Sequence, residues 1–343
     1  MPYQFKNDYS ELAHPRIIEA LAKYNSEQNI PYGEDYHSEN AKKRIREIFS
    51  LKEDTSIHFL SGGTQTNMVL ISSALRHYEG VLACNSGHIN VHETASVEGA
   101  GYKIYTVKGN NAKLSASDIY EAIRHNNNEH MVKIKMVYIS NSTEYGTIYN
   151  REELIEIYNA CKENDLYLFI DGARLGSALT CKENDIKNED LGLFCDAFYI
   201  GGTKNGLLFG EALVINNKEL QKDFRYHIKN KGAMLAKGYA LGIQFEEMFK
   251  DNLYFELAEH ANKMAERIRD IFDRLSIPYL NAPTNQVFPT FSRDIALSLI
   301  DRYGLEIWED NNEKMIVRFV TSFLTKEEDI LELDQYLSRL FSK

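Results

Sequence analysis

With 343 residues the chain is long enough for one large core or two domains, and 43% hydrophobic with 26% charged residues is the composition of a soluble globular protein. The formal net charge of −11 argues against a nucleic-acid backbone as partner, because that contact needs clustered Lys and Arg. The start, Met1-Pro2-Tyr3, lacks the apolar core of a signal peptide and no run reaches membrane length, so a cytoplasmic protein is expected. Cys84, Cys161, Cys181 and Cys195 are far apart with no Cys-x-x-Cys pair, which points to reduced thiols and to no metal site.

Residues 5–12 read as an extended lead-in. Pro15 suits the first turn of a helix with Ile18, Leu21 and Ala22 as its apolar face. Pro31 and Gly33 mark residues 29–36 as a loop, and a polar helix follows over about 38–49. Next comes His58-Phe59-Leu60-Ser61-Gly62-Gly63-Thr64: a short strand, two glycines and a helix opening at Thr64. The free N–H groups and positive dipole of a helix N-terminus attract anions, and glycine lets a phosphate approach the backbone. Gly62 and Gly63 therefore mark a candidate phosphate turn.

Residues 81–84 read as a strand, 88–93 as a loop or helix, and 102–107 as a strand. Ser115 with Asp118, and Asn150 with Glu153, read as capping boxes for two helices on either side of a strand at 134–140. Apolar runs at 166–170 and 196–200 read as buried strands, and 211–215 as another. Such alternation predicts a largely parallel sheet. From 217 to 275 long helices are expected, residues 229–238 included. Short strands at 285–291, 305–309 and 315–320 then alternate with helices. The last helix is capped by Thr325 with Glu328, and turns Ile330, Leu333, Leu337 and Leu340 inward.

Strand 166–170 runs into Asp171-Gly172-Ala173-Arg174, and strand 196–200 into Gly201-Gly202-Thr203-Lys204. Open parallel sheets bind ligands at the carboxyl ends of their strands, so a carboxylate and an amine stand at one rim. An acid that can hold a pyridinium nitrogen and a lysine that can form an imine are what pyridoxal 5'-phosphate requires. Each residue alone has an ordinary explanation, a turn-forming Asp or a solvated Lys. Together with the upstream glycine turn they mark Lys204 as the imine lysine.

In their order along the chain these stretches resemble the L-threonine aldolases, a branch of the β-eliminating lyase family within the aspartate-aminotransferase-like pyridoxal-phosphate fold. The resemblance rests on the segment 7–16, Tyr32-Gly33-Glu34-Asp35, Gly63-Thr64-Gln65, the segment 87–93, Asp171-Gly172-Ala173-Arg174, Lys204 and Val317-Arg318-Phe319-Val320-Thr321. It implies an α/β fold: a mostly parallel seven-stranded sheet flanked by helices over residues 1–245, and a smaller C-terminal α+β domain over 246–343. The implied reaction is retro-aldol cleavage of L-threonine or L-allo-threonine to glycine and acetaldehyde, in homodimers or homotetramers with shared active sites.

The resemblance also implies roles. Lys204 would carry the cofactor, Asp171 would pair with its ring nitrogen, and His88 would stack on the ring and be placed to take a proton. Gly63 and Thr64 would hold the phosphate, with Thr203 and Arg174 among the cofactor contacts. Arg174 and Arg318 would clamp the substrate carboxylate, a task suited to the guanidinium fork, with Ser10 and Tyr32 lining the pocket.

Two departures from the family pattern stand out. The loop after strand 134–140 reads Asn141-Ser142-Thr143-Glu144-Tyr145-Gly146, where many relatives carry a histidine that touches the substrate hydroxyl. Glu144 or Thr143 is expected there instead, or else His88 or a water serves as base. Met234-Leu235-Ala236 stands where relatives have Met-Arg-Gln, so Lys229, Lys231 or Lys237 is expected to supply the missing charge. Two other readings compete: another pyridoxal-phosphate lyase of the same fold acting by elimination, and an inactive binding protein that kept the fold.

Overall fold

The computed structural model describes residues 2–341. Seven strands form the main sheet: β1 (Ser56–Leu60), β2 (Glu79–Cys84), β3 (Lys103–Val107), β4 (Lys133–Ser140), β5 (Tyr167–Asp171), β6 (Ala197–Gly201) and β7 (Glu211–Ile215). Their order is β1-β7-β6-β5-β4-β2-β3. The pairs from β6 through β5, β4 and β2 to β3 are parallel; β7 alone runs against its neighbours β1 and β6. The start of β7 therefore lies at the same rim as the ends of β1, β5 and β6.

The continuous apolar runs follow from burial on both faces. Successive side chains alternate, so Leu82, Val137, Leu168 and Phe198 enter one core, and Val81, Met136, Phe169 and Tyr199 the other. Helix Arg151–Glu163 covers the first face with Leu154, Ile157 and Cys161, and helix Gly63–Ala74 the second with Val69 and Leu70. Both predicted capping boxes form, Ser115 with Asp118 and Asn150 with Glu153.

A second, antiparallel sheet comprises β8 (Gln286–Val287), β9 (Thr290–Ser292), β10 (Glu306–Asp310) and β11 (Lys314–Val320), with β11 pairing to the other three. The predicted strand at 285–291 is thus split at Phe288-Pro289, since proline has no N–H for a ladder. The helix Leu253–Arg274 ties the two parts together. Leu253, Tyr254 and Leu257 pack in a core of the large sheet, while Met264, Ile268, Ile271 and Phe272 pack under the small one. Phe5 joins that small core, its N–H bonded to the Tyr303 carbonyl at 3.0 Å.

Three local expectations are corrected. Helix Pro15–Lys23 buries Ile17 and Ala20, whereas Ile18 and Ala22 are exposed. It packs on helix Tyr239–Met248, and the Arg16 Nε bond to Glu247 at 2.8 Å sets its rotation. Residues 217–275 are not a run of long helices but Lys218–Gln221, Phe224–Asn230, Tyr239–Met248 and Leu253–Arg274. The breaks fall at Asp223, Gly232 and Asn252, with φ of 53°, 68° and 64°, a region that Gly, Asp and Asn enter most readily. Met234 therefore lies in the loop between helices Phe224–Asn230 and Tyr239–Met248. The last helix, Glu327–Phe341, is started by Asp329, which accepts from the Lys326 N–H at 2.9 Å; the Thr325 hydroxyl is engaged by the Ser322 N–H instead.

Candidate active site

Asp171 ends β5 and is 3% exposed. It accepts hydrogen bonds from the Tyr138 and Tyr199 hydroxyls at 2.5 Å each, from Asn67 Nδ2 at 3.0 Å and from the Ala173 N–H at 3.0 Å. Tyr138 and Tyr199 lie on the flanking strands β4 and β6, in the core on the Phe169 face. Burial raises a carboxyl's pKa, but the nearby His88 charge and these donors outweigh it and hold Asp171 below its usual range.

Two glycines bring the lysine alongside. A Cβ on Gly172 would lie 1.9 Å from the Tyr199 carbonyl oxygen, and one on Gly201 would lie 2.2 Å from that of Ala173. Only glycine at both positions lets the two turns touch, which they do through a Gly201 N–H bond to the Gly172 carbonyl at 2.9 Å. Lys204 sits on the 3-10 turn Thr203–Asn205 that follows. Its Nζ lies 5.9 Å from the Tyr9 ring centroid and has no hydrogen-bond partner among the described residues. Burial, then the Arg174 charge, pushes its pKa below the usual lysine value, which favours the neutral, nucleophilic amine.

His88 opens the short helix His88–Val91, with Nδ1 2.7 Å from Glu93 Oε1. Glu93 also accepts from Asn67 Nδ2 at 2.7 Å and the Ser96 hydroxyl at 2.9 Å, so Asn67 links the His88 pair to Asp171. Burial would lower the imidazole pKa; Glu93, Glu144 and Asp171 outweigh it, and the net shift is upward.

The two arginines differ. Arg174 is buried and bonds Asp8 through Nε at 2.7 Å and Nη2 at 3.0 Å, while Asn285 Nδ2 supports Asp8 at 2.9 Å. Its Nη1 makes no hydrogen bond among the described residues. Burial alone would raise the Asp8 carboxyl, but Arg174 and Lys204 hold it low. Arg318, on β11 and 6% exposed, pairs with Glu306 across the strands, donates to Gln286 Oε1 at 3.2 Å and stands over the Trp308 ring. Its Nε is buried with no partner. Glu144 is buried in the loop after β4, without a hydrogen-bond partner among the described residues. Its charge acts on His88, Lys204, Arg174 and Arg318.

Gly63 begins helix Gly63–Ala74, one residue earlier than the expected Thr64, and Thr64 is exposed. The space beside Gly62 is open, and a Cβ on Gly63 would approach the same Tyr199 hydroxyl that holds Asp171. The Thr203 hydroxyl is engaged within the lysine turn, donating to Glu211 at 2.8 Å and accepting from the Gly210 N–H at 3.0 Å. Ser10 is exposed and donates to Asn7 Oδ1 at 2.9 Å, next to the Tyr9 that faces Lys204. Tyr32 makes its contacts elsewhere: its ring carries the Lys229 ammonium at 4.8 Å and its N–H bonds the Ala236 carbonyl. Lys231 and Lys237 belong to the turn that follows helix Phe224–Asn230.

Sequence reasoning assigned no role to Asp8, Asn67, Glu93, Tyr138, Tyr199 or Glu211. For the tyrosines a signal existed: phenols interrupting apolar strands on the same alternation as Asp171.

The model of the beta-eliminating lyase family matches residues 8–293. The chain belongs to that family. A low specificity L-threonine aldolase from a Pseudomonas species is 30% identical over 273 residues, 78% of each chain. The solved structure of Leishmania major threonine aldolase is 43% identical with a TM-score of 0.97, over 99% of this chain and 100% of that one. Aspartate aminotransferase from Thermus thermophilus, at 13% identity, superimposes with a TM-score of 0.72 over 99% of this chain and 92% of that one. The fold is the aspartate-aminotransferase-like one expected from the sequence.

Proposed function

We propose that the protein is a pyridoxal-phosphate-dependent L-threonine aldolase, a carbon–carbon lyase that cleaves L-threonine and L-allo-threonine to glycine and acetaldehyde. The observation that carries this reading is the buried Asp171 carboxylate and the unpartnered Lys204 amine on two touching turns, in a chain so similar to a threonine aldolase over its whole length.

The residues present fit pyridoxal 5'-phosphate: a free amine, a buried acid and an open glycine turn at a helix N-terminus. When bound, the cofactor supplies a sink for the electron pair freed when a bond at the substrate α-carbon breaks. Lys204 anchors it, Asp171 keeps its ring nitrogen protonated and His88 covers the ring. Gly63 and Thr64 hold the phosphate from the first turn of their helix, and Thr203 braces the lysine turn. Arg318, with the remaining Nη1 of Arg174, takes the substrate carboxylate. Fixing that group would decide which α-carbon bond is set up to break, and a misplacement of about 1 Å would cost on the order of a hundredfold in rate. Glu144 accepts the β-hydroxyl proton as the Cα–Cβ bond breaks and the aldehyde leaves. Ser10 lies at the pocket mouth, beside the Tyr9 that faces Lys204.

We infer a cytoplasmic homodimer or homotetramer; no helix among the described residues is long and apolar enough to cross a membrane. The test is product analysis of the cofactor-loaded protein with L-threonine, L-allo-threonine, L-serine and L-cysteine. Equal amounts of acetaldehyde and glycine are expected. Pyruvate or sulfide without acetaldehyde would move the protein to the eliminating lyases.

A further inference from the structure

Glu211 has no task in the chemistry above. It is the first residue of β7 and 4% exposed. Because β7 runs antiparallel between β1 and β6, Glu211 stands opposite Leu60 on one side and Gly201 on the other. Leu60 leads into the glycine turn Ser61-Gly62-Gly63, and Gly201 leads into Gly202-Thr203-Lys204. One carboxyl thus lies between the phosphate turn and the lysine turn.

Its oxygens are divided between the two residues before Lys204. Oε1 accepts from the Thr203 hydroxyl at 2.8 Å, and Oε2 from the Gly202 N–H at 3.0 Å. Thr203 Oγ1 accepts from the Gly210 N–H at 3.0 Å, and the N–H groups of Gly202 and Thr203 both reach the Gly210 carbonyl at 3.1 Å. The lysine turn hangs from Gly210 and Glu211 by these five bonds. An amide would accept from only one of these two donors, whereas the carboxyl accepts from both, and it is buried here without an ion pair, which is costly. No ion pair reaches Glu211 among the described residues. The charged and titratable groups facing it are Lys204 on the lysine turn, Asp171 on β5, Tyr199 on β6 and Tyr254 from helix Leu253–Arg274. Lys204 is the one cation of these four. Burial pushes Glu211 well above the carboxylate range, as it pushes Lys204 down.

We propose that Glu211 is a positioning residue for Lys204, holding the lysine turn through Gly202 and Thr203 and sharing one proton with the Lys204 amine. With Lys204 an ammonium, Glu211 is a carboxylate. When the amine must act as a nucleophile, its proton passes through water to Glu211, leaving a neutral amine and a neutral carboxylic acid. The buried pair carries the same net charge before and after, so the exchange avoids an uncompensated charge in a low-dielectric site.

The inference rests on Lys204 being the cofactor lysine, and the experiment separates the two. Glu211→Gln keeps the shape and one acceptor. Cofactor-free wild type and variant are acylated with an amine reagent across pH, and modification of Lys204 is read by mass spectrometry. Loss of the carboxylate should lower the midpoint for Lys204 by about one pH unit, roughly a tenfold change in reactivity near the midpoint. The visible band of the pyridoxal-phosphate-loaded protein should shift its pH midpoint in the same direction. An unchanged midpoint in a variant of unchanged Tm overturns the proposal. If Glu211→Gln folds poorly, infrared titration of the wild type decides. A carboxylic-acid C=O band lost at the lysine midpoint supports the shared proton, and a lysine that titrates without it overturns it. A loaded protein with no Lys204-dependent band breaks the reading of Lys204; a band indifferent to Glu211 breaks only this inference.

Discussion

At the rim of the large sheet, Asp171 accepts four hydrogen bonds from three side chains and one backbone N–H, whereas in the small sheet Arg318 leaves a buried Nε with no acceptor. Both groups are almost fully buried, so exposure does not explain the contrast. Asp171 sits where β4, β6, helix Gly63–Ala74 and the turn after β5 converge, and each contributes a donor. Arg318 has a partner across the strands in Glu306, a second in Gln286 and an aromatic plane in Trp308, yet the set stays incomplete. Buried polar groups are normally satisfied, so the donors around Asp171 fix its charge and orientation, while the orphan Arg318 Nε is where a ligand's acceptor is missing.

Five changes break or sharpen that contrast. The largest effect belongs to Lys204→Ala, which should remove the visible band of the cofactor-loaded protein and nearly all turnover; retention of both would displace the lysine from its role. Asp171→Asn keeps the shape but surrenders the charge that four donors hold in place. It should lower kcat by about a hundredfold to a thousandfold in single-turnover measurements, on the scale of losing one preorganised charge-stabilising group. Arg318→Ala should act on binding instead, raising KM and lowering kcat/KM by about tenfold to a hundredfold. A fall in Tm with KM intact would mean that the orphan Nε faces no substrate.

Tyr138→Phe removes one of the four Asp171 donors and leaves three, so a loss of only about fivefold in kcat/KM is expected. A loss as large as that of Asp171→Asn would show that the donors are not redundant. The smallest effect concerns pH. His88 is raised above the ordinary imidazole value of 6.5, with Glu93 the leading cause that acts against burial. The folded state therefore binds the proton more tightly than the unfolded one. That stabilisation is fully present below about pH 6.5 and is lost as pH climbs through the raised value. Glu93→Gln should flatten the pH dependence of Tm across that window, by differential scanning calorimetry.

The amino-acid sequence determined by itself the features that need only a few consecutive residues. Apolar runs specified β4, β5 and β6, the Ser115 and Asn150 boxes specified two helix starts, and Asp171, Lys204 and the glycine turn were each legible as the end of a strand or the start of a helix. Their reasons are local: side-chain period, capping geometry and the steric freedom of glycine. Tertiary structure alone decided which groups meet. Asp8 is 166 residues from Arg174, and Asn67 is 104 from Asp171, so nothing in either neighbourhood marks the pairing. The loop at Met234, the buried face of helix Pro15–Lys23 and the placing of Tyr32 on Lys229 likewise depended on what packs against them. Glu211 is the clearest case: nothing in its sequence neighbourhood marks a role, and only the antiparallel insertion of β7 between β1 and β6 buries it beside the lysine turn.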